Sequence, residues 1–156
     1  LLPTAPFLKS TTIEKFINKM IKNKLDTLIS TKDAKGFPPI IMACYTGQND
    51  IAKFLLKTGA DVNAQDAAGN TALMGVSYKG KLDIASILIE QGTDVNIQNS
   101  QGYTALMFAA MFNQEELIRL LKQNKADHLI KDSSGKTASD HAEFKGYSNL
   151  IDLIKA

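Results

Sequence analysis

The 156-residue chain has one cysteine, no tryptophan, four prolines and two histidines. Each scarcity excludes something. Cys44 alone can form neither an intramolecular disulfide nor a thiolate metal site. Arg119 is the sole arginine among 18 basic residues, so the bidentate guanidinium fork that reads phosphates and base edges is nearly missing and no nucleic-acid partner is expected. Long apolar runs are missing too: stretches such as Ile40 to Tyr45 are far shorter than the roughly 20 residues a helix needs to cross a bilayer. No membrane span is expected. The chain opens on Leu1 rather than Met, as after signal-peptide removal or trimming, which leaves a bacterial periplasm and a cytoplasm both open as compartments.

What remains is an ordinary folding composition. Hydrophobic residues make up 44% and charged residues 22%, far from the polar, highly charged corner where chains stay disordered. A single domain of this length buries roughly two thirds of its unfolded surface. The net charge of +2 is unevenly spread. Six lysines face only Glu14 and Asp26 within residues 1–32, whereas acidic residues slightly outnumber basic ones beyond.

A 33-residue period organises the sequence. Asp33, Asp66, Asn99 and Asp132 are each followed three residues later by glycine. Then come Thr71, Thr104 and Thr137, whose hydroxyls suit helix N-caps, with Pro39 fit for a first helical position. Gly47, Gly80, Asn113 and Gly146 end a short first helix of about eight residues, since these residue types tolerate a left-handed backbone. The stripes Ile51, Phe54, Leu55; Ile84, Ile87, Leu88; Leu117, Leu120, Leu121; and Leu150, Leu153, Ile154 predict an amphipathic second helix. Glycine closes it in the runs from Lys57 and from Glu90. In the third unit Lys125 replaces this glycine, and Asn124 is expected to absorb the kink.

This pattern of Gly-x-Thr-x-Leu, a small pair, Gly, a Leu-Leu-like pair and Gly-Ala-Asp-Val-Asn resembles the ankyrin repeat. The resemblance implies an all-α solenoid of stacked helix-turn-helix units joined by short β-turn fingers. It divides the chain into a flexible arm (1–10), an N-terminal capping helix pair (11–32), three repeats (33–65, 66–98 and 99–131) and a truncated C-terminal capping repeat (132–156). In the cap, Ile13, Phe16, Ile17, Met20 and Ile21 share one face and Lys15, Lys19 and Lys22 the other, which fits a terminal unit with a solvated outer side. The histidine usual in the family's Thr-Pro-Leu-His stretch is Ile41, Met74, Met107 and Asp140 here. The polar network between repeats that this histidine supports is expected to be missing, with apolar packing in its place.

Catalytic groupings are scarce. Cys44 shares its offset with Ser77 and Ala110 and is expected to be a buried, inert thiol. His128 lies in a turn, and His141, beside Asp140 and Glu143, is expected to form a surface ion pair. No Gly-rich phosphate loop, His-Glu-x-x-His or Gly-x-Ser-x-Gly occurs, so no enzyme activity and no cofactor are expected. The resemblance implies instead that a protein partner binds a concave face built from finger tips and first helices. Carried onto this chain, that face includes Phe37, Tyr45, Tyr78, Lys79, Tyr103, Met111, Phe112 and Phe144. One offset reads Tyr45, Tyr78, Met111, Phe144, a large side chain in every unit, and such residues are enriched at interface cores. Stacking that only stiffens the solenoid is the plainer reading of the same ladder. The second functional reading is a haem or other apolar ligand in the groove, with Tyr45, Tyr78, His141 or a methionine as axial ligand, as in small bacterial relatives that support haem enzymes such as catalases. The protein on its own is expected to be monomeric.

Overall fold

The computed structural model describes residues 38–156; the arm, the N-terminal cap and Phe37 lie outside them. Among the described residues eight helices follow in order: α1 (Pro39–Tyr45), α2 (Asn49–Lys57), α3 (Ala72–Lys79), α4 (Leu82–Glu90), α5 (Ala105–Met111), α6 (Glu115–Gln123), α7 (Ala138–Phe144) and α8 (Ser148–Lys155). They form four antiparallel pairs. The first helices α1, α3, α5 and α7 stack closely on one another, with the second helices packed behind them. Gln65 and Thr71 form an isolated antiparallel bridge at the base of a finger. No described helix is long and apolar enough to cross a membrane.

Local chemistry sets each boundary. Thr71, Thr104 and Thr137 take extended backbone, and their hydroxyls accept the amides of Met74, Met107 and Asp140, which satisfies one otherwise orphaned donor per helix. Pro39 opens α1. Gly47, Gly80, Asn113 and Gly146 all carry positive φ where the first helix stops. The first helices are buried on most sides: Ala72, Leu73, Met74, Val76 and Ser77 in α3, and Ala105, Leu106, Met107, Ala109 and Ala110 in α5. Cys44, Ser77 and Ala110, at one offset, are all fully buried. Burial pushes the Cys44 thiol up to about 12, which removes the thiolate that nucleophilic chemistry requires.

Three expectations need correction. Lys125, not Asn124, adopts the left-handed conformation, with φ 67° against −103°. The turn keeps the geometry of its glycine counterparts because the Ala126 amide reaches Leu121 O and the Asn124 side chain caps Leu120 O at 2.8 Å. Ile51 is 47% exposed, whereas Ile84, Leu117 and Leu150 at the same offset are buried; its helix pair has a described neighbour on one side only. Finally, hydrogen bonds between units are present without the family's histidine. Gln65 Nε2 donates to Gln98 O and Gln98 Nε2 to Lys131 O. Asn63 Oδ1 accepts from the Thr93 hydroxyl and the Asp94 amide, and Asn96 Oδ1 accepts from the Asp127 amide. The polar links run through fingers and loops, leaving Met74 and Met107 to fill the apolar interior.

Candidate functional site

The ends of the first helices bring Tyr45 and Tyr78 side by side. Their rings lie 6.2 Å apart between centroids and 12° from parallel. Both remain well exposed, at 43% and 38%. The run of rings then continues to Phe112 rather than Met111: Tyr78 meets Phe112 edge to face at 4.5 Å. Helix α5 stops one residue earlier than α3, and Phe112 is its C-cap, so the ring swings into the place the ladder assigned to Met111. Met111 is half-buried. Lys79 lays its ammonium over both tyrosines, 4.6 Å from the Tyr45 centroid and 5.5 Å from that of Tyr78, within the reach of cation–π attraction.

The other expected residues do not join this strip. Tyr103 is half-buried and packs edge to face on Phe108 at 5.7 Å and on His141 at 5.5 Å. Phe144, 76% exposed, has the Lys136 ammonium 4.9 Å above its ring.

Beside Tyr45 and Tyr78 opens a pocket of about 430 Å³. Ile41, Met42, Met74 and Phe108 complete its apolar walls, Gly75 leaves its middle open, and Asp66, Asn70 and Thr71 border it. The repeat offset explains the hollow. Nine residues after each starting Asp or Asn stand Met42, Gly75, Phe108 and His141, so one unit lacks the side chain that its neighbours project. Sequence reasoning missed this column; comparing the four units at that offset was the signal. Asp66 is tied to its own turn at the pocket's border, where its carboxylate accepts the Ala68 and Asn70 amides and the Asn70 side chain.

His141 corrects another expectation. It is buried, and its partner is Asp132 rather than the adjacent acids: Nε2 lies 2.6 Å from Asp132 Oδ2. The first turn of the repeat brings Asp132 under α7, where its other oxygen accepts the Ser134 and Lys136 amides and the Ser134 hydroxyl. Burial alone would raise the Asp132 carboxyl, but these donors together with His141 hold it well below the usual carboxylate range. Asp140 instead closes a capping box, with the Thr137 amide and hydroxyl lowering its carboxyl. His141 does not line the pocket, so of the proposed axial ligands only the two tyrosines and the methionines Met42 and Met74 face it. Among the described residues no cluster of His, Cys, Asp or Glu could hold a metal ion.

No curated protein matches the chain in sequence. A family model described as ankyrin repeats, in three copies, matches residues 9–99 and 73–155. Period, stacked helix pairs and this match agree: the chain belongs to the ankyrin-repeat family.

Proposed function

We propose that the chain is a non-catalytic module that binds a partner protein through the face lined by Tyr45, Tyr78, Lys79 and Phe112, extended by Phe37, Tyr103, Met111 and Phe144. One observation carries this reading: three exposed aromatic rings run in continuous contact, and two of them, Tyr45 and Tyr78, line an apolar pocket. Large, rigid rings that remain solvated in the free protein gain most from burial by a partner. Ankyrin repeats generally serve as protein-interaction modules, which supports the same class of function. For the haem reading the pocket offers Tyr45, Tyr78, Met42 and Met74 but not His141, which is engaged by Asp132.

The test begins with affinity purification and mass spectrometry on the wild type and on the double variant Tyr45→Ala, Tyr78→Ala. With the purified partner, calorimetry should show binding weakened by at least about 30-fold, because aromatic anchors commonly contribute 2 kcal/mol or more. Circular dichroism should show a nearly unchanged melting temperature. A strongly lowered melting point with unchanged affinity of the folded fraction would mean the rings only stiffen the solenoid.

A further inference from the structure

Glycine at position 75 answers no backbone demand. It lies inside α3 without a positive φ, and a Cβ built there would approach only Tyr45 Cδ2, at an ordinary 3.6 Å. Glycine in a helix interior is less favourable than alanine, so the residue weakens α3 locally. What it provides is the hollow between Met42 and Phe108, the side chains its neighbours present at the same offset. A hollow of about 430 Å³ falls in the size range of ligand-binding clefts. Its continuation along Tyr78 into Phe112 makes it one end of a strip rather than a closed hole.

Two lysines on this face of the stack stand unpaired. Lys79 and Lys136 rest on aromatic rings, and neither has a carboxylate partner among the described residues, where the salt bridges are Arg119 with Glu115 and His141 with Asp132. The nearby carboxylates are each held by hydrogen bonds within their own unit: Asp66 by its turn, Asp132 by His141 and Ser134, Asp140 by the α7 cap. An approaching chain therefore meets apolar surface and two ammonium groups that no described carboxylate pairs.

From this we infer that the Gly75 pocket seats an apolar side chain from an acidic peptide segment of the partner, whose carboxylates pair with Lys79 beside the pocket and with Lys136 farther along. The inference rests on the groove reading above and specifies the chemistry of its partner. Carboxylates would replace the ring faces, those of Tyr45 and Tyr78 for Lys79 and that of Phe144 for Lys136, as the lysines' counter-charge. The inserted side chain would occupy the place that Met42 and Phe108 leave empty between them.

A library of random peptides displayed on phage and selected on the immobilised full chain tests it. The enriched peptides should carry a large apolar residue flanked by Asp or Glu. In fluorescence polarisation, Gly75→Met should weaken such a peptide about 10- to 100-fold, the value of burying one Leu-sized side chain, with no fall in melting temperature. Gly75→Ala, which keeps the helix safely formed, should weaken it by a smaller factor. Lys79→Glu should weaken it about tenfold at low salt, with the gap closing at high salt as screening grows. Neutral or basic enriched sequences, affinity indifferent to both Gly75 variants, or no enrichment at all would overturn the inference. Peptides that lack acidic residues but still depend on Tyr45 and Tyr78 would overturn it while leaving the groove reading intact. Peptides indifferent to Tyr45, Tyr78 and Gly75 alike would bring down both.

Discussion

Gly102 and Gly135 sit at the same place in successive fingers with nearly the same backbone, φ 79° and 82°, yet their surroundings differ completely. A Cβ on Gly102 would lie 2.8 Å from the Ser133 amide nitrogen, because the following finger is held there by Ser133 N–H donating to Gln101 O. A Cβ on Gly135 would meet nothing within 4 Å. The same contrast recurs elsewhere. Ala110 is fully buried while Glu143, at its offset in the last unit, is exposed. Gln98 and Asn96 bond across to the next unit, whereas Lys131 and Leu129 stand at those offsets one unit later, with Leu129 68% exposed. Each repeat position therefore answers two demands, one from its own turn and one from its neighbour. The final described unit answers only the first.

The sharpest way to break this contrast is to exchange the small residue and the acid. Ala110→Glu forces a carboxylate into a fully buried site and should cost more than about 4 kcal/mol, enough to unfold a marginal domain. Glu143→Ala should stay within about 0.5 kcal/mol. Urea midpoints for the two variants check this, and comparable losses would refute the neighbour argument. Next in size, Gly102→Ala should destabilise by about 2–3 kcal/mol, combining left-handed strain with a displaced finger, whereas Gly135→Ala pays the strain alone, about 1 kcal/mol.

The final described unit has an internal tie, and acid should loosen it. The folded Asp132 carboxyl lies below its unfolded value. Its contribution is therefore complete above the unfolded pKa of about 3.9 and is lost as pH falls from there toward the folded value. Asp132→Asn should lower stability near neutrality by about 1–3 kcal/mol. It should also flatten the stability profile below about pH 4, which chemical denaturation across pH would show. The smallest effect belongs to the third unit: Lys125→Gly should stabilise by about 1 kcal/mol by relieving the left-handed lysine, visible as a higher denaturant midpoint with unchanged slope.

The sequence made the helices and their ends legible because those are local demands repeated at one period. Thr71, Thr104 and Thr137 cap, and Gly47, Gly80, Asn113 and Gly146 stop, as their residue types require. Features that depend on two units at once were harder to see. The pocket exists through a side chain that Gly75 lacks between Met42 and Phe108. The ring ladder shifts to Phe112 because α5 ends one residue early. His141 turns inward because Asp132, nine residues upstream, offers a buried oxygen closer than the exposed Asp140. Lys125 misled for the opposite reason: a lysine is disfavoured in the left-handed region, but the bonds around it fix the turn for whichever residue stands there.

The side-chain and backbone bonds that cross between described units span 29 to 34 residues and no more. Distant parts of the described stack never need to find one another, so the entropy of closing a loop is the same modest sum for each unit added. A chain wired this way has low contact order however many units it holds. Folding can start wherever two adjacent helix pairs first dock and can then spread in both directions, one period at a time. Growth of the array by duplication would raise its stability in steps without lengthening the search for the native state.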